Sequence, residues 1–285
     1  MQQNPKTFEF HRFIESILQT KTQESFLLAN QSLFNENSPD YPFRNYFYGI
    51  GLIYQGGRKL RIGVEEYTLA TGDLLVIGPS IIRHWLDSHW DFKNTSIFFT
   101  PELFETPITP QVIVDSPIFR AGIQHVIHLN SVDFEFYSLT LSSIKSQENN
   151  PKVVAALVLA LIEKTEKLMA DSQQNEPKPG RKQQISKAFC SLINAHYLEN
   201  KDVAHYAEKL NITPKYLSEV IKETTGKSPK TLIEQLIMQE AKSILKQTEM
   251  NVKEISYWLG FEDPSYFTKA FKVAEGVTPN EYRTK

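Results

Sequence analysis

Polar side chains able to read a nucleic acid stand at matching places in two stretches of the chain. They are Lys215, Ser218, Glu219 and Lys222 and, at a shift of 50 residues, Ser265, Thr268, Lys269 and Lys272. Each set falls on one face of a helical stretch, opposite its apolar residues. Hydroxyl, carboxylate and ammonium groups on an exposed helix face can hydrogen-bond to base edges in the major groove and to phosphate oxygens. Ser218, Glu219, Thr268 and Lys269 are the expected specificity residues. Lys222 and Lys272 come late in their helices, where phosphate contact adds affinity without sequence information.

No comparable set supports catalysis. A metal centre of the His-x-His type needs a later carboxylate and a further histidine, and His84 and His89 have no such companions. No nucleophile with a matching base is apparent. The chain is therefore expected to be no enzyme, with no catalytic residue, metal or cofactor. Its one cysteine, Cys190, sits among Ala188, Phe189, Leu192 and Ile193 and reads as a core thiol. A disulfide framework is excluded, and a reducing compartment is expected.

The elements that must position the polar sets read as helices. Ile185, Ala188, Phe189, Leu192, Ile193, His196 and Tyr197 share one helix face. Asp202 stands as N-cap before Val203 to Leu210, Asn211-Ile212-Thr213 forms a turn, and Thr213 caps a helix that starts at Pro214 and stops at Gly226. A shift of 49 then places Val203 on Val252, Tyr206 on Ile255, Ala207 on Ser256 and Leu210 on Leu259. A shift of 50 places Tyr216 on Tyr266, Leu217 on Phe267, Gly226 on Gly276 and Pro229 on Pro279. The second copy has one more residue in its turn. Between the copies, Leu232, Ile233, Leu236, Ile237, Ala241, Ile244 and Leu245 define an amphipathic spacer helix. One helix-turn-helix also suits a protein-binding adaptor. Two copies on a rigid spacer suit successive major grooves, about 34 Å apart on one side of a duplex.

Upstream, aromatic and β-branched runs alternate with turns. Tyr46 to Tyr54, Glu66 to Leu69, Leu74 to Ile77 and Ser96 to Phe99 read as strands, with turns at Gly56-Gly57, Thr71-Gly72-Asp73 and Gly78-Pro79. A small barrel or jelly roll is expected. Beyond residue 132 the period becomes helical through Phe134, Tyr137, Leu141 and Ile144, and Pro151 can start a second helix. Val153 to Ile162 is apolar all round, which suits burial within its own domain or a subunit interface. The polar stretch 171–182, with two prolines and a glycine, reads as a linker. The fold class is thus α+β, with a barrel over 1–131, a helical pair over 132–170, the linker over 171–182 and an all-α domain over 183–285.

Composition agrees with two soluble domains: 41% hydrophobic and 22% charged residues disfavour wholesale disorder. The net charge of -2 hides an asymmetry. From Arg181 onward there are 16 Lys+Arg against 13 Asp+Glu, and before it 15 against 20. The N-terminus has no basic stretch followed by an apolar run, and no apolar run approaches the roughly 18 residues of a membrane span, so no membrane partner and cytoplasmic residence are expected.

Residues 183–285 closely resemble the DNA-binding domain of AraC/XylS transcription regulators. The resemblance rests on Ile255-Ser256-Tyr257-Trp258-Leu259-Gly260-Phe261-Glu262-Asp263-Pro264-Ser265-Tyr266-Phe267-Thr268-Lys269-Ala270-Phe271-Lys272 and on the ending Gly276-Val277-Thr278-Pro279-Asn280-Glu281-Tyr282-Arg283. Gly260 permits the turn, Pro264 starts a helix, and Tyr266, Phe267 and Phe271 are expected to pack inward. Family members often carry Arg where Glu219 and Ile237 stand here, which implies a weaker first unit and a dominant second one, or compensation by dimerisation. The resemblance implies a cupin-like N-terminal domain, on Gly72 to Pro79 followed by His84. It implies sequence-specific binding of double-stranded DNA, a homodimer, a small-molecule effector and, for an activator, RNA polymerase as a partner. Tyr48, Ile50, Leu52, Arg61, Ile77, His84 and Trp85 are the expected effector-pocket residues. A ligand, or a partner surface, would act by linkage, favouring one arrangement of the N-terminal domains and helices and so biasing the DNA-binding halves.

Overall fold

The computed structural model describes residues 10, 14–15, 25–30, 39–87, 92–104, 111–175 and 180–284. The linker positions 176–179 and His89 lie outside them. The β-branched and aromatic runs become strands β1 Phe26–Asn30, β2 Tyr48–Gln55, β3 Lys59–Ile62, β4 Glu65–Thr68, β5 Asp73–Ile77, β6 Arg83–Trp85, β7 Lys93–Phe99 and β8 Val126–His128. They form an antiparallel five-stranded sheet in the order β1-β7-β2-β5-β8 and a three-stranded sheet β4-β3-β6. Strand β2 is central, with Gly49 paired to Ile77 on one side and to Phe98 on the other.

A central strand covered on both faces must be apolar on both. Tyr48, Ile50 and Leu52 alternate onto one face, where they join Leu74, Val76, Ile97 and Phe99 in a core closed by helices. Those helices are α1 Gln111–Asp115, α2 Ser131–Ser146 and α3 Pro151–Asn175. Asn130 caps α2 by accepting from the Asp133 amide. Tyr137 and Thr165 join α2 to α3 through a 2.7 Å hydroxyl contact. Of the all-round apolar stretch in α3, Val154, Val158, Leu161 and Ile162 are buried, while Ala156 and Ala160 on the opposite side are exposed.

Helix α3 runs on through residues 171–175, which the sequence suggested were linker. Asp171 to Asn175 contain no helix breaker, and Pro177 is the first residue that disfavours helix at the position before it. The remaining helices are α4 Arg181–His196, α5 Val203–Lys209, α6 Pro214–Thr225, α7 Pro229–Gln247, α8 Val252–Trp258, α9 Pro264–Glu275 and α10 Pro279–Thr284. Leu236, Ala241, Ile244, Phe267 and Phe271 anchor their common core. No helix among the described residues is long and apolar enough to cross a membrane.

The spacer helix α7 departs from a simple amphipathic pattern. Gln239, Glu240, Ser243 and Gln247 are buried along with its apolar residues. The β-sheet half supplies part of the cover: Gln239 Nε2 donates to Gly63 O at 3.0 Å, and Ile82 belongs to the same core cluster as α7.

Candidate nucleic-acid interface and effector cleft

The two helix-turn-helix units, α5/α6 and α8/α9, are built by the same local chemistry. Asp202 accepts from the Ala204 amide and Thr213 from the Tyr216 amide; Asn251 and Asp263 cap the corresponding second pair. The turn between helices requires a left-handed residue, Asn211 at φ 54° in the first unit and Gly260 at φ 72° in the second. The next residue closes the turn in both, Ile212 N to Ala207 O at 3.0 Å and Phe261 N to Ser256 O at 2.9 Å. Gly226 and Gly276, at φ 72° and 75°, then end α6 and α9.

Three cross-links fix the second unit to its neighbours. Lys201 Nζ donates to Leu259 O and, at 2.9 Å, to Gly260 O, and lies 4.4 Å over the Phe261 ring. Lys242 of α7 pairs with Glu275 of α9 at 3.0 Å. Arg283 donates to Leu245 O at 3.1 Å and to Met250 O.

Lys215, Glu219 and Lys222 are exposed on α6, and Ser265, Lys269 and Lys272 on α9. Ser218 and Thr268 are half-buried, and each hydroxyl donates to the carbonyl four residues back, Pro214 O at 2.8 Å and Pro264 O at 2.9 Å. Their oxygens retain acceptor capacity. Phe267 and Phe271 pack inward as expected. Tyr266 does not: it is 64% exposed, because it stands on the side of α9 away from Phe267.

In the β-sheet half, a cleft opens between the two sheets. Of the expected pocket residues, Ile77 and Trp85 line it, and Ile50 borders it while its side chain belongs to the helix-covered core. Tyr48 and Leu52 instead face the helix-covered core, since alternation along β2 turns Gly49, Gly51 and Ile53 toward the cleft. Arg61 is occupied by Glu66 at 2.6 Å, and His84 Nε2 lies 3.1 Å from Asp40 O, a backbone contact rather than a pocket role. The cleft residue that sequence reasoning missed is Arg83, whose signal was a lone cation inside an otherwise apolar strand segment. Cys190 is buried, and burial pushes its thiol up to about 12, so it is inert near neutral pH.

The two halves meet at a buried polar junction. Arg44 Nη2 donates to Glu240 Oε2 at 2.7 Å and to the Tyr197 hydroxyl at 2.6 Å, and that hydroxyl donates to the same Glu240 oxygen at 2.9 Å. Burial opposes the Arg44 charge, but Glu240, with Tyr197 and Tyr46, outweighs it and raises the guanidinium pKa. Burial, despite Arg44, holds the Tyr197 hydroxyl well above its usual range, so it stays protonated.

Residues 206–285 match a family described as a helix-turn-helix domain. Over 249 residues, 86% of this chain and 82% of the relative, the sequence is 23% identical to the arabinose operon regulatory protein of Escherichia coli K12. It is 26% identical over 250 residues, 84% of this chain and 83% of the relative, to the transcriptional activator RhaR of Yersinia pseudotuberculosis. Residues 206–285 are thus a helix-turn-helix domain, and along most of its length the chain is similar to AraC-type transcription regulators. Among solved structures, the C-terminal domain of the response regulator AraT from Geobacillus stearothermophilus is 36% identical, covering 37% of this chain and 88% of that one, with a TM-score of 0.35.

The helix-turn-helix region is the part of the chain that it shares with these DNA-binding regulators. Its departures from the family pattern have different surroundings. Glu219 is solvent-exposed, whereas Ile237 is 3% exposed and packs in the core of the helical half. An arginine at the second position would have to displace that packing.

Proposed function

We propose that α6 and α9 are the recognition helices of a sequence-specific regulator and enter successive major grooves of one operator. The observation that carries this reading is the repeated turn: side-chain caps, a left-handed residue and the same closing amide contact recur in both units, and the polar residues of α6 and α9 are exposed at matching positions. Ser218, Glu219, Thr268 and Lys269 read base edges, and Lys215, Ser265, Lys222 and Lys272 hold phosphates. Tyr266 joins them, because its exposed ring suits a thymine methyl and its hydroxyl a phosphate. Glu219 accepts from a cytosine amino group and repels the backbone, so the second unit supplies most of the electrostatic attraction.

The sheets and cleft act as a cupin-like effector domain over 1–131, α2 and α3 as a dimer interface over 132–170, and 183–285 as the DNA-binding domain. The outward side of α3, with its small exposed Ala156 and Ala160, suits the close approach of a second copy. Residence in the cytoplasm follows from the DNA target, and contact with RNA polymerase follows if the regulator activates. Effector occupancy reaches DNA through the Arg44–Tyr197–Glu240 junction, since the residue next to Arg44, Asn45, lines the cleft while Glu240 belongs to the spacer helix.

Selection of bound sites from random duplexes by the full chain tests the proposal. It should return two conserved blocks about 10 base pairs apart for each protomer. A single block, or none, would refute the paired-groove arrangement.

A further inference from the structure

Arg83 occupies an unusual place for a cation. It starts β6, is 6% exposed, and lines the cleft between the sheets. Its Nη1 donates to Asn45 Oδ1, and its guanidinium lies 4.5 Å over the Phe43 ring. Both partners are neutral. No carboxylate among the described residues pairs with it, and burial alone pushes its pKa down to about 9. The other cleft arginine, Arg58, differs: it is attracted by Asp87 and stacks 4.0 Å over Trp85.

Around Arg83 the walls are mainly apolar, with Asn94 and Ser96 as polar exceptions. Phe47, Ile53, Leu75, Phe92 and Phe98 surround the space, and β2 contributes bare backbone at Gly49 and Gly51 on that face. Neither glycine can be enlarged freely, since a Cβ at Gly51 would sit 2.5 Å from Ser96 Oγ and one at Gly49 3.0 Å from the Phe98 ring. The glycine pair makes room for these two side chains of β7. A buried charge without a counter-charge is costly, and a planar guanidinium is matched best by a carboxylate in the fork geometry. Aromatic and branched walls reward an apolar body.

We propose that this cleft binds a compact monocarboxylic acid, its carboxylate on Arg83 and its aromatic or aliphatic body against Phe47, Phe92 and Phe98. The inference rests on the reading of the sheet half as an effector domain and names the ligand class for it. Asn45 orients the Arg83 guanidinium, and its neighbour Arg44 carries the contact to Tyr197 and Glu240. Filling the cleft therefore bears on the segment that ties the sheets to α7.

Calorimetric titration of the full chain with benzoate, 3-phenylpropanoate and octanoate, each against its primary amide, and with arabinose as a neutral polyol, tests the proposal. At least one acid should bind, at least ten-fold tighter than its amide. Arg83→Met should erase that preference, while Arg83→Lys should keep part of it. Equal binding of acids and amides, no binding of any acid, or an acid preference that survives Arg83→Met would overturn the proposal, and the wild-type acid and amide comparison decides even if a variant fails to fold. Arabinose binding without acid binding would exclude the acid class yet leave an effector domain standing. An acid that binds through Arg83 without changing operator affinity would confirm the site and refute effector control.

Discussion

Arg44 and Glu240, 196 residues apart in the chain, meet at 2.7 Å with side chains only 10% and 2% exposed. Removing one member of such a pair strands the other charge away from water, at a cost of about 3–5 kcal/mol. Glu240→Ala and Arg44→Ala should each destabilise the full chain on that scale. The double variant should cost less than the sum, because neither charge is then left alone. Denaturant unfolding of the four proteins measures the coupling, and strict additivity would show that the pair contributes nothing to docking.

Acid stability should depend on His125. It is 2% exposed with Nδ1 3.0 Å from Val76 O, and burial pushes its pKa down to about 4 from 6.5. The unfolded chain therefore takes up a proton first as the pH falls. Stability from this group is complete above pH 6.5 and is lost progressively toward pH 4, amounting to about 3 kcal/mol at most. Unfolding free energies between pH 7 and pH 4 should show that slope, and His125→Gln should flatten it. An unchanged slope in the variant would place the acid sensitivity elsewhere.

Turn chemistry sets a third expectation. Asn211 carries a left-handed backbone that glycine adopts without strain, so Asn211→Gly should be neutral or stabilising by up to about 1 kcal/mol. Gly260→Ala should lose about 1–2 kcal/mol, with a Cβ 3.1 Å from Lys201 Nζ adding to the conformational penalty. Thermal unfolding of both variants distinguishes these signs.

On DNA, Lys222→Ala and Lys272→Ala should weaken binding to all duplexes alike and lower the salt slope by about one each. Thr268 and Lys269 should behave differently, with alanine costing about 1–3 kcal/mol on the selected site and little on random sequence. Glu219→Gln should strengthen binding to random duplex. Fluorescence anisotropy across a salt series reads all of these, and a uniform loss for Lys269→Ala would reassign it to the backbone.

The helical half was legible in the residues because its signals are local. Thr213 with Pro214, Asp263 with Pro264, and Gly226 with Gly276 specify helix ends whatever surrounds them. The cleft was less legible, since alternation in β2 defines two faces without saying which one a helix layer covers, and Tyr48 and Leu52 fell on the covered face. The docking of the two halves was not legible. Nothing local to Glu240 names a partner for it, and only the fold brings Arg44 to it. Tyr266 was misplaced for a related reason: an aromatic residue beside Phe267 looks like core until the helix phase is known.

Binding of the full chain to its selected duplex, against the same duplex with both conserved blocks scrambled and at fixed moderate ionic strength, tests the central claim most directly. Paired recognition helices predict at least a thousand-fold preference for the intact site, with scrambling of either block alone costing a substantial part of it. Equal affinity for intact and scrambled duplexes would contradict it.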